Sequence, residues 1–304
     1  VWIAVPLLGL TLFSGTNINE ARRWLVIPVI NQTFQTSDLA KLAIIMYVAR
    51  LLSKKQESIK SFNESFVPVM VPVLIVCGLI LPANFSTASI LFVVCIMLMF
   101  IGRVNLKYIF AFFGVGIIAL SVFIAIKYNS GSTGRLGTWQ NRIEHFMDGD
   151  ADGNYQVRQS KIAIATGEII GKGPGRSVQR NFLPHPYSDF IYAIIIEEYG
   201  LIGGFGILML YLVLLYRGVK IASDCPRTFG SLLAIGLCLS LVFQAMINMA
   251  VAVNLFPVTG QPLPMISMGG TSIWFTCITI GIILSVSREN EQIARKNIPV
   301  EIHH

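Results

Sequence analysis

Charged residues are scarce in this chain: Asp, Glu, Lys and Arg make up 13% of its 304 residues, against 54% apolar residues. A soluble domain carries about 25% charged residues, so the composition excludes an ordinary soluble protein. Apolar runs of about 17–25 residues, each long enough to cross about 30 Å of hydrocarbon, recur along the sequence. These runs are continuous and lack the alternating pattern of a barrel strand. We therefore expect an all-α fold, a polytopic transmembrane helical bundle.

The apolar runs predict the order of the membrane spans and one long loop between them. The predicted spans lie at about 1–15, 36–53, 67–83, 86–102, 108–127, 189–216, 229–251 and 270–286. Residues 128–188 form a loop of a length that is uncommon unless the loop is functional. No soluble domain is appended, so we expect one membrane domain over 1–304. The first run has no basic flank and no initiator Met before it, and we expect it to be the tail of a longer span.

Signals for metal or nucleotide binding are weak. The run DGDADGN at 148–154 matches the first half of a calcium loop, but Gln159 stands where a bidentate Glu is expected. We expect a polar loop there and keep calcium binding as the alternative. The sequence GKGPGRS at 171–177 lacks the spacing of a Walker A motif and predicts a tight turn. The four histidines show no metal-ligand spacing and the five cysteines form no CxxC pair, so we expect free, buried thiols and no metal site.

The distribution of Lys and Arg predicts the orientation of the chain. Both residue types are missing from the short loops at 84–86 and 252–269, whereas the loops on the other side of the predicted spans are basic. The basic positions are Arg50, Lys54, Lys55, Lys60, Arg103, Lys107, Arg217, Lys220, Arg227, Arg288, Arg295 and Lys296. The positive-inside rule places this side, with the C-terminus, in the cytoplasm of a plasma membrane. The net charge of +7 is therefore a topology signal, and we do not expect nucleic-acid binding.

The long 128–188 loop then lies on the outer side, which its many cations permit because long loops are largely exempt from the charge rule. Its basic residues are Arg135, Arg142, Arg158, Lys161, Lys172, Arg176 and Arg180. Outward-facing cations suit an anionic, lipid-linked substrate because Arg side chains bind phosphate oxygens as a fork. Arg142 and Arg176 are our substrate-binding candidates, and a merely solvated loop is the alternative.

Ionisable residues inside or at the end of a span are costly and usually functional. Asp189 lies where the outer loop enters the 189–216 span, and helix capping is the alternative to a chemical role. Asp38 and Lys41 are three residues apart on one helix face, so they can form an ion pair that is either structural or substrate-binding. Glu197 and Glu198 lie about two turns deeper than Asp189, and we expect them to make inter-helix hydrogen bonds rather than to catalyse.

The segment NLFPVTGQPLPMISMGGTS at 254–272 is broken by Pro and Gly between two predicted spans. Non-helical backbone at membrane depth persists only where it is buried in protein or lines a wet cavity. Its polar residues, among them Ser267, Thr271 and Ser272, are therefore candidates to line an outward-facing site. A well-packed re-entrant turn is the alternative.

Long sequence blocks resemble the SEDS family, the RodA/FtsW/SpoVE polytopic glycosyltransferases. The blocks are GTNINEARRWL (15–25), FQTSDLAKLAI (34–44), LPHPYSDFIYAIIIEEYGLIG (183–203) and FPVTGQPLPMISMGGTS (256–272). They are long, in order and spread over nearly the whole chain, so chance does not account for them. The family has ten spans, and this chain would hold the last seven and part of the third, about seven and a half.

The resemblance implies a peptidoglycan glycosyltransferase that extends glycan strands from lipid II and releases undecaprenyl pyrophosphate. It places the family's essential acid on Asp189. The family's acid–Lys pair falls on Asp38 and Lys41, and its Arg-Trp pair falls on Arg23 and Trp24. A base near the acceptor hydroxyl and cations around the pyrophosphate are what glycosyl transfer needs. A divalent cation, Mg or Mn, stays open as a cofactor.

Some positions depart from the family pattern. Asp38 replaces the usual Glu, Thr36 the usual Pro, His185 the Glu after Leu-Pro, and Asn84 a frequent Asp. The sequences ANFSTA (83–88) and GKGPGRSVQRNFL (171–183) are closer to the cell-division members than to the elongation members. The resemblance therefore implies septal cell-wall synthesis, with a class B penicillin-binding protein transpeptidase and other divisome membrane proteins as partners. An elongation polymerase is the alternative within the family.

Two functions of other classes compete with the enzyme. A transporter that flips lipid-linked precursors would use a broken segment and buried charges along a substrate path. Such a transporter needs polar groups that serve both membrane faces, whereas the unusual polar features here cluster on the predicted outer side. A scaffold that only recruits partners would leave the cationic loop and Asp189 without a chemical role.

Overall fold

A computed structural model describes residues 3–14, 16–18, 21–27, 32–114, 116, 155–184 and 186–296. Its elements in chain order are α1 (Ala4–Ser14), β1 (Thr16–Ile18), β2 (Ala21–Ile27), β3 (Gln32–Gln35), α2 (Thr36–Lys54), a π-helical turn (Phe62–Phe66), α3 (Val67–Ile80), α4 (Phe85–Ile101), α5 (Tyr155–Gly167), a 3₁₀ turn (Gln179–Asn181), α6 (Ile191–Asp224), α7 (Thr228–Ala252) and α8 (Thr271–Lys296). Residues 106–114 are also helical.

The expected helical bundle is confirmed. Every predicted span contains helix, although most of the 108–127 span lies outside the described residues. By length and composition, four helices among the described residues could cross a membrane: Phe62–Ile80, Ile191–Asp224, Thr228–Ala252 and Thr271–Ile293. Helices α6 and α8 run further than predicted, and the added end of α8, RENEQIARK, is rich in residues with good helix propensity.

A small sheet replaces the plain loop that the sequence predicts at 16–35. Strands β1 and β2 are antiparallel, with Thr16 opposite Trp24, and β2 pairs with β3 from Trp24–Gln35 to Ile27–Gln32. Strand β2 has the sequence ARRWLVI, whose aromatic and β-branched residues favour strand structure. The sheet satisfies backbone polar groups that a loop near the membrane would leave to water.

The chain forms two compact units, and the expectation of a single domain stays a prediction. The first unit comprises Val1–Val104, Leu210–Phe243 and Gly269–His304, and the second comprises Asn105–Met209 and Gln244–Met268. Close helix packing marks the first unit. A Cβ on Gly236 of α7 would lie 2.7 Å from the Leu98 side chain of α4 and 3.1 Å from the Ile45 side chain of α2, so the missing side chain of glycine lets these helices pack closely.

Asn84 has a structural role at the start of α4. Its side chain accepts a hydrogen bond from the backbone N–H of Thr87 at 3.2 Å, as an N-cap does. Asn and Asp are about equally good at this position. The replacement of the family's frequent Asp therefore preserves the cap while it removes a charge.

The five cysteines are free thiols, as expected. Cys77, Cys95 and Cys238 are buried, which agrees with the sequence prediction. Cys277 is exposed on α8 and Cys225 is half-buried, so the expectation of burial is wrong for Cys277.

In the second unit, α5 occupies part of the predicted 128–188 loop. Its buried residues Val157, Ser160, Ala163 and Gly167 follow a helical spacing along one face. The hydroxyl of Ser160 donates to the carbonyl of Ala252 at the end of α7, at 2.7 Å. The predicted 128–188 loop therefore contains a helix that contacts the end of α7.

Helix α6 is interrupted at Gly200, whose φ of 70° and ψ of −172° are not helical. The residues that follow α5 form hydrogen bonds with the backbone groups at this break. The N–H groups of Lys172 and Gly173 donate to the carbonyls of Glu197 and Glu198 at 3.0 and 2.9 Å. In the other direction, Leu201 and Ile202 donate to the carbonyls of Glu168 and Ile169 at 2.9 and 3.3 Å. The freed backbone groups of the broken helix are thus satisfied by another segment, which we call the 168–173 clamp.

Candidate functional site

Asp189 lies in the turn just before α6 and is half-buried. Its Oδ1 accepts a hydrogen bond from the Ser188 hydroxyl at 2.9 Å. Within the described part of the chain, no backbone N–H of α6 donates to this carboxylate. Its second oxygen faces the 259–262 turn, since a Cβ placed on Gly260 would lie 3.6 Å from Oδ2. The carboxylate therefore does not cap the helix, and it retains acceptor capacity for another partner.

The broken segment at 254–270 holds the backbone around Asp189. The hydroxyl of Ser267 donates to the carbonyl of Ser188 at 2.6 Å, and the N–H of Met268 donates to the carbonyl of Tyr187 at 2.8 Å. Asn248 of α7 donates to the carbonyls of Asp189 and Gln261, at 2.9 and 2.7 Å. Hydrogen bonds thus hold both the backbone at 187–189 and the 254–270 segment in place without a substrate. A preorganised polar site requires such fixed groups.

Ser267 was predicted to bind substrate, and the structure shows how its hydroxyl is used. The side chain is buried at 3% exposure. Its oxygen donates to Ser188 and also accepts the N–H of Leu263 at 2.7 Å. Direct substrate contact stays a prediction for this residue, whereas its contact with the backbone beside Asp189 is a feature of the fold.

The sequence analysis did not single out Gln244 and Asn248, which position the same segment. Both lie on α7, four residues apart and on one face, and Gln244 donates to the carbonyl of Pro262 at 2.9 Å. The sequence did contain a signal for this positioning role, namely two amide side chains four residues apart inside an apolar span. Buried amides in a span usually form hydrogen bonds to a neighbouring segment.

The GKGPGRS segment is a tight turn, as predicted, with Gly171, Gly173 and Gly175 all at positive φ of 73–99°. It is held by Glu197, which is fully buried at 0% exposure. The carboxylate of Glu197 accepts Lys172 Nζ at 2.6 Å and the Ser177 hydroxyl at 2.5 Å. Glu197 is therefore a hydrogen-bonding acid, as expected, but its partners lie in this turn and not on another α-helix, so the expectation of inter-helix bonds is wrong in that respect.

The loop cations differ in what they do. Lys172 is paired with Glu197 and also donates to Thr166 at 2.9 Å. Arg176 is exposed at the tip of the turn, and Arg180 is half-buried just after it. Arg142 and the 148–154 acidic run lie outside the described residues.

In the first unit, Asp38 and Lys41 form the predicted ion pair, with Nζ 2.8 Å from Oδ1. Asp38 is buried at 5% exposure, and its Oδ2 has no hydrogen-bond partner among the described residues. Thr271 is buried at the start of α8, where its hydroxyl makes a long contact of 3.4 Å with the N–H of Gln35. Ser272 is half-buried, and its carbonyl accepts the Thr276 hydroxyl at 2.9 Å.

Arg23 and Trp24 lie in strand β2, where Trp24 pairs with Thr16 and Gln35, and Arg23 lies at the irregularity between the paired residues Arg22 and Trp24. Their side chains lie outside the described residues, so the substrate role that the resemblance implies stays a prediction. For metals, the described residues contain no group of three His, Cys, Asp or Glu side chains placed to share an ion. A divalent cation as cofactor stays a prediction, and the chemistry below involves only the chain's own groups.

Comparison with known proteins supports the sequence resemblance. The "Stage V sporulation protein E" of Bacillus subtilis is 35% identical over 291 residues, which cover 93% of this chain and 76% of that protein. The "Probable peptidoglycan glycosyltransferase FtsW" of Haemophilus influenzae is 32% identical over 293 residues, which cover 94% of this chain and 72% of that protein.

Solved structures share the fold. A chain from a peptidoglycan synthase complex that coordinates polymerization and crosslinking matches with a TM-score of 0.76 and 28% identity, over 96% of this chain and 80% of that one. The rod shape determining protein RodA of Thermus thermophilus matches with a TM-score of 0.66 and 26% identity, over 95% of this chain and 76% of that one. With its apolar helices, the chain is a multi-pass membrane protein. The family model for the FtsW, RodA and SpoVE cell cycle proteins matches residues 1–292, and the chain belongs to that family.

Proposed function

We propose that the chain is a peptidoglycan glycosyltransferase that polymerises lipid II into glycan strands at the outer face of a bacterial plasma membrane. The observation that carries this proposal is the carboxylate of Asp189. It precedes a membrane helix, is not used as a cap, and lies on backbone that Ser267 and Asn248 hold in place. The names of the relatives, which include a peptidoglycan glycosyltransferase, support the same reaction.

In the proposed reaction Asp189 is the general base. Its carboxylate takes the proton of the acceptor sugar hydroxyl while that oxygen bonds to the anomeric carbon of the donor. The bond from the anomeric carbon to the pyrophosphate breaks, and undecaprenyl pyrophosphate leaves with the bonding electrons. The proton on Asp189 then passes to water, which regenerates the base.

In this proposal, the positive charges of Arg176 and Arg180 stabilise the pyrophosphate leaving group. Arg176 is exposed and Arg180 half-buried on the same short segment, and neither forms an ion pair with a described acidic residue. Guanidinium groups bind phosphate oxygens through paired, charge-assisted hydrogen bonds. They would stabilise the charge that develops on the pyrophosphate as the glycosidic bond forms.

The orientation follows from the loop charges. The basic turns and the C-terminal tail are placed in the cytoplasm by the positive-inside rule, which leaves Asp189, the 254–270 segment and α5 outside. Lipid II polymerisation at the outer face is consistent with that placement.

The proposed biological role is septal synthesis in partnership with a class B penicillin-binding protein transpeptidase and other divisome membrane proteins. Relatives named FtsW support the division role. The similarity to a chain of a synthase complex that coordinates polymerization and crosslinking supports a transpeptidase partner.

An assay with purified protein distinguishes the polymerase from a flippase. The full-length protein, alone and with its transpeptidase partner, is incubated in detergent with fluorescent lipid II, and the products are resolved by gel electrophoresis. A ladder of glycan strands is the expected result. Transfer of lipid II across a vesicle bilayer without any polymer would instead support the transporter.

A further inference from the structure

Glu197 is a buried acid that the proposed reaction does not use. Its carboxylate accepts hydrogen bonds from Lys172 Nζ at 2.6 Å, the Ser177 hydroxyl at 2.5 Å, and the N–H groups of Val178 and Gln179, each at 3.2 Å. An unpaired charge at 0% exposure would be strongly destabilising, and these donors satisfy it. All four come from one short segment, so a single side chain fixes the path of the 172–179 turn.

The fixed turn leads directly to the proposed phosphate-binding cations. Ser177, which donates to Glu197, also accepts the N–H of Arg180 at 3.2 Å. Arg176 precedes this serine and is exposed, so its guanidinium projects from a backbone that Glu197 holds. The positions of both arginines therefore depend on the carboxylate of Glu197.

The same turn is also the start of the segment that ends at Asp189. The carbonyl of Gln179 accepts the N–H of Leu183 at 3.0 Å. Leu183 in turn packs in a buried cluster with Phe190, Ile194 and Val251. Glu197 thus anchors one end of the 177–189 segment, and Ser267 anchors the other.

We propose that Glu197 is a positioning residue for glycosyl transfer, which holds Arg176 and Arg180 where the pyrophosphate of the lipid-linked substrate binds. The inference rests on the proposed function. Glu197 acts through Ser177 and the backbone of the turn and does not touch the substrate. Lys172, which is paired with Glu197, belongs to this anchor and is not one of the substrate-binding cations.

The test is the Glu197→Gln variant, which keeps the shape of the side chain. Its NH₂ group would face donors that now approach a carboxylate oxygen, and the ion pair to Lys172 is lost. We expect the lipid II concentration for half-maximal rate to rise about 10-fold or more, and the maximal rate to fall as well, because the displaced arginines bind the pyrophosphate and also stabilise the charge that develops on it. A merely structural role would instead lower the active fraction and leave that concentration unchanged.

Glu198→Gln is the matched control. Glu198 is half-buried, and its side chain accepts one long contact of 3.4 Å from the N–H of Ser177. We expect its lipid II dependence to stay within about twofold of wild type. Equal effects of the two substitutions, or an unchanged lipid II dependence in Glu197→Gln, would overturn the proposal.

Two further measurements test the proposal. The Ser177→Ala variant serves if Glu197→Gln does not fold, and hydrogen–deuterium exchange serves if the wild type does not polymerise lipid II. Ser177→Ala keeps the buried charge and removes only the hydroxyl bridge, and we expect a smaller rise, about threefold, in the half-maximal concentration. Hydrogen–deuterium exchange needs no substrate: faster exchange of the 172–183 amides in Glu197→Gln or Ser177→Ala, but not in Glu198→Gln, supports the anchor. Unchanged exchange would refute it, whereas an inactive wild type with altered exchange would refute only the proposed function.

Discussion

Replacement of Gly200 by alanine tests the break in α6 and its clamp. The backbone of Gly200 has a φ of 70° and a ψ of −172°, a region that is essentially restricted to glycine. A Cβ there would lie 2.1 Å from the carbonyl oxygen of Ile169, which is backbone and cannot rotate away. The backbone strain costs about 1–3 kcal/mol. If the clamp separates to relieve the clash, each lost hydrogen bond costs about 1 kcal/mol more.

Gly206→Ala is the matched control, because Gly206 lies on the same helix and, apart from the adjacent backbone, no described atom lies within 4 Å of its Cβ position. We expect Gly200→Ala to lower the stability of the detergent-solubilised protein by about 2–5 kcal/mol, measured by thermal unfolding. Alanine at 206 should leave stability unchanged or raise it by up to about 1 kcal/mol. Equal unfolding temperatures for the two variants would refute the description of the clamp.

Three further predictions concern topology, substrate and partner. In a variant without native cysteines, cysteine at Tyr155 or Met268, both exposed, should react with an impermeant maleimide from outside, and cysteine at Glu57 should not; the reverse pattern would contradict the orientation. Charge reversal by Arg142→Glu or Arg176→Glu should raise the lipid II concentration needed for activity without unfolding the protein, and an unchanged requirement would make these residues part of a solvated loop. Purification from the native membrane should recover one class B penicillin-binding protein, and its reproducible absence would count against the division role.

The helices of this protein were predictable because long apolar runs dominate its sequence. The start of α6 near Asp189 and the broken segment at 254–272 follow from where polar, Pro and Gly residues interrupt those runs. The sheet at 16–35 was missed because strands β1 and β3 have three and four residues, too few to show a periodic pattern.

The contacts of the site depend on pairings that are distant in sequence, and a single sequence does not give these. Ser267 and Ser188 are 79 positions apart, and Ser160 and Ala252 are 92 positions apart. The sequence identified Glu197 as a hydrogen-bonding acid in a span, but not that its donors come from the GKGPGRS turn. Asp189 was ambiguous between a cap and a base: the described N–H groups of α6 do not donate to its carboxylate, which argues against the cap, and the role of base stays a prediction.

The rate of lipid II polymerisation by Asp189→Asn tests the central claim most directly. Asn preserves the shape of the side chain and the hydrogen bond from Ser188, but it cannot take the proton of the acceptor hydroxyl. Asp224→Asn, at the exposed far end of the same helix, is the control and should polymerise at the wild-type rate. We expect Asp189→Asn to polymerise about 10²–10⁴-fold more slowly, with thermal stability and partner binding near wild type. Polymerisation by Asp189→Asn at a near-normal rate would contradict the assignment of Asp189 as the base.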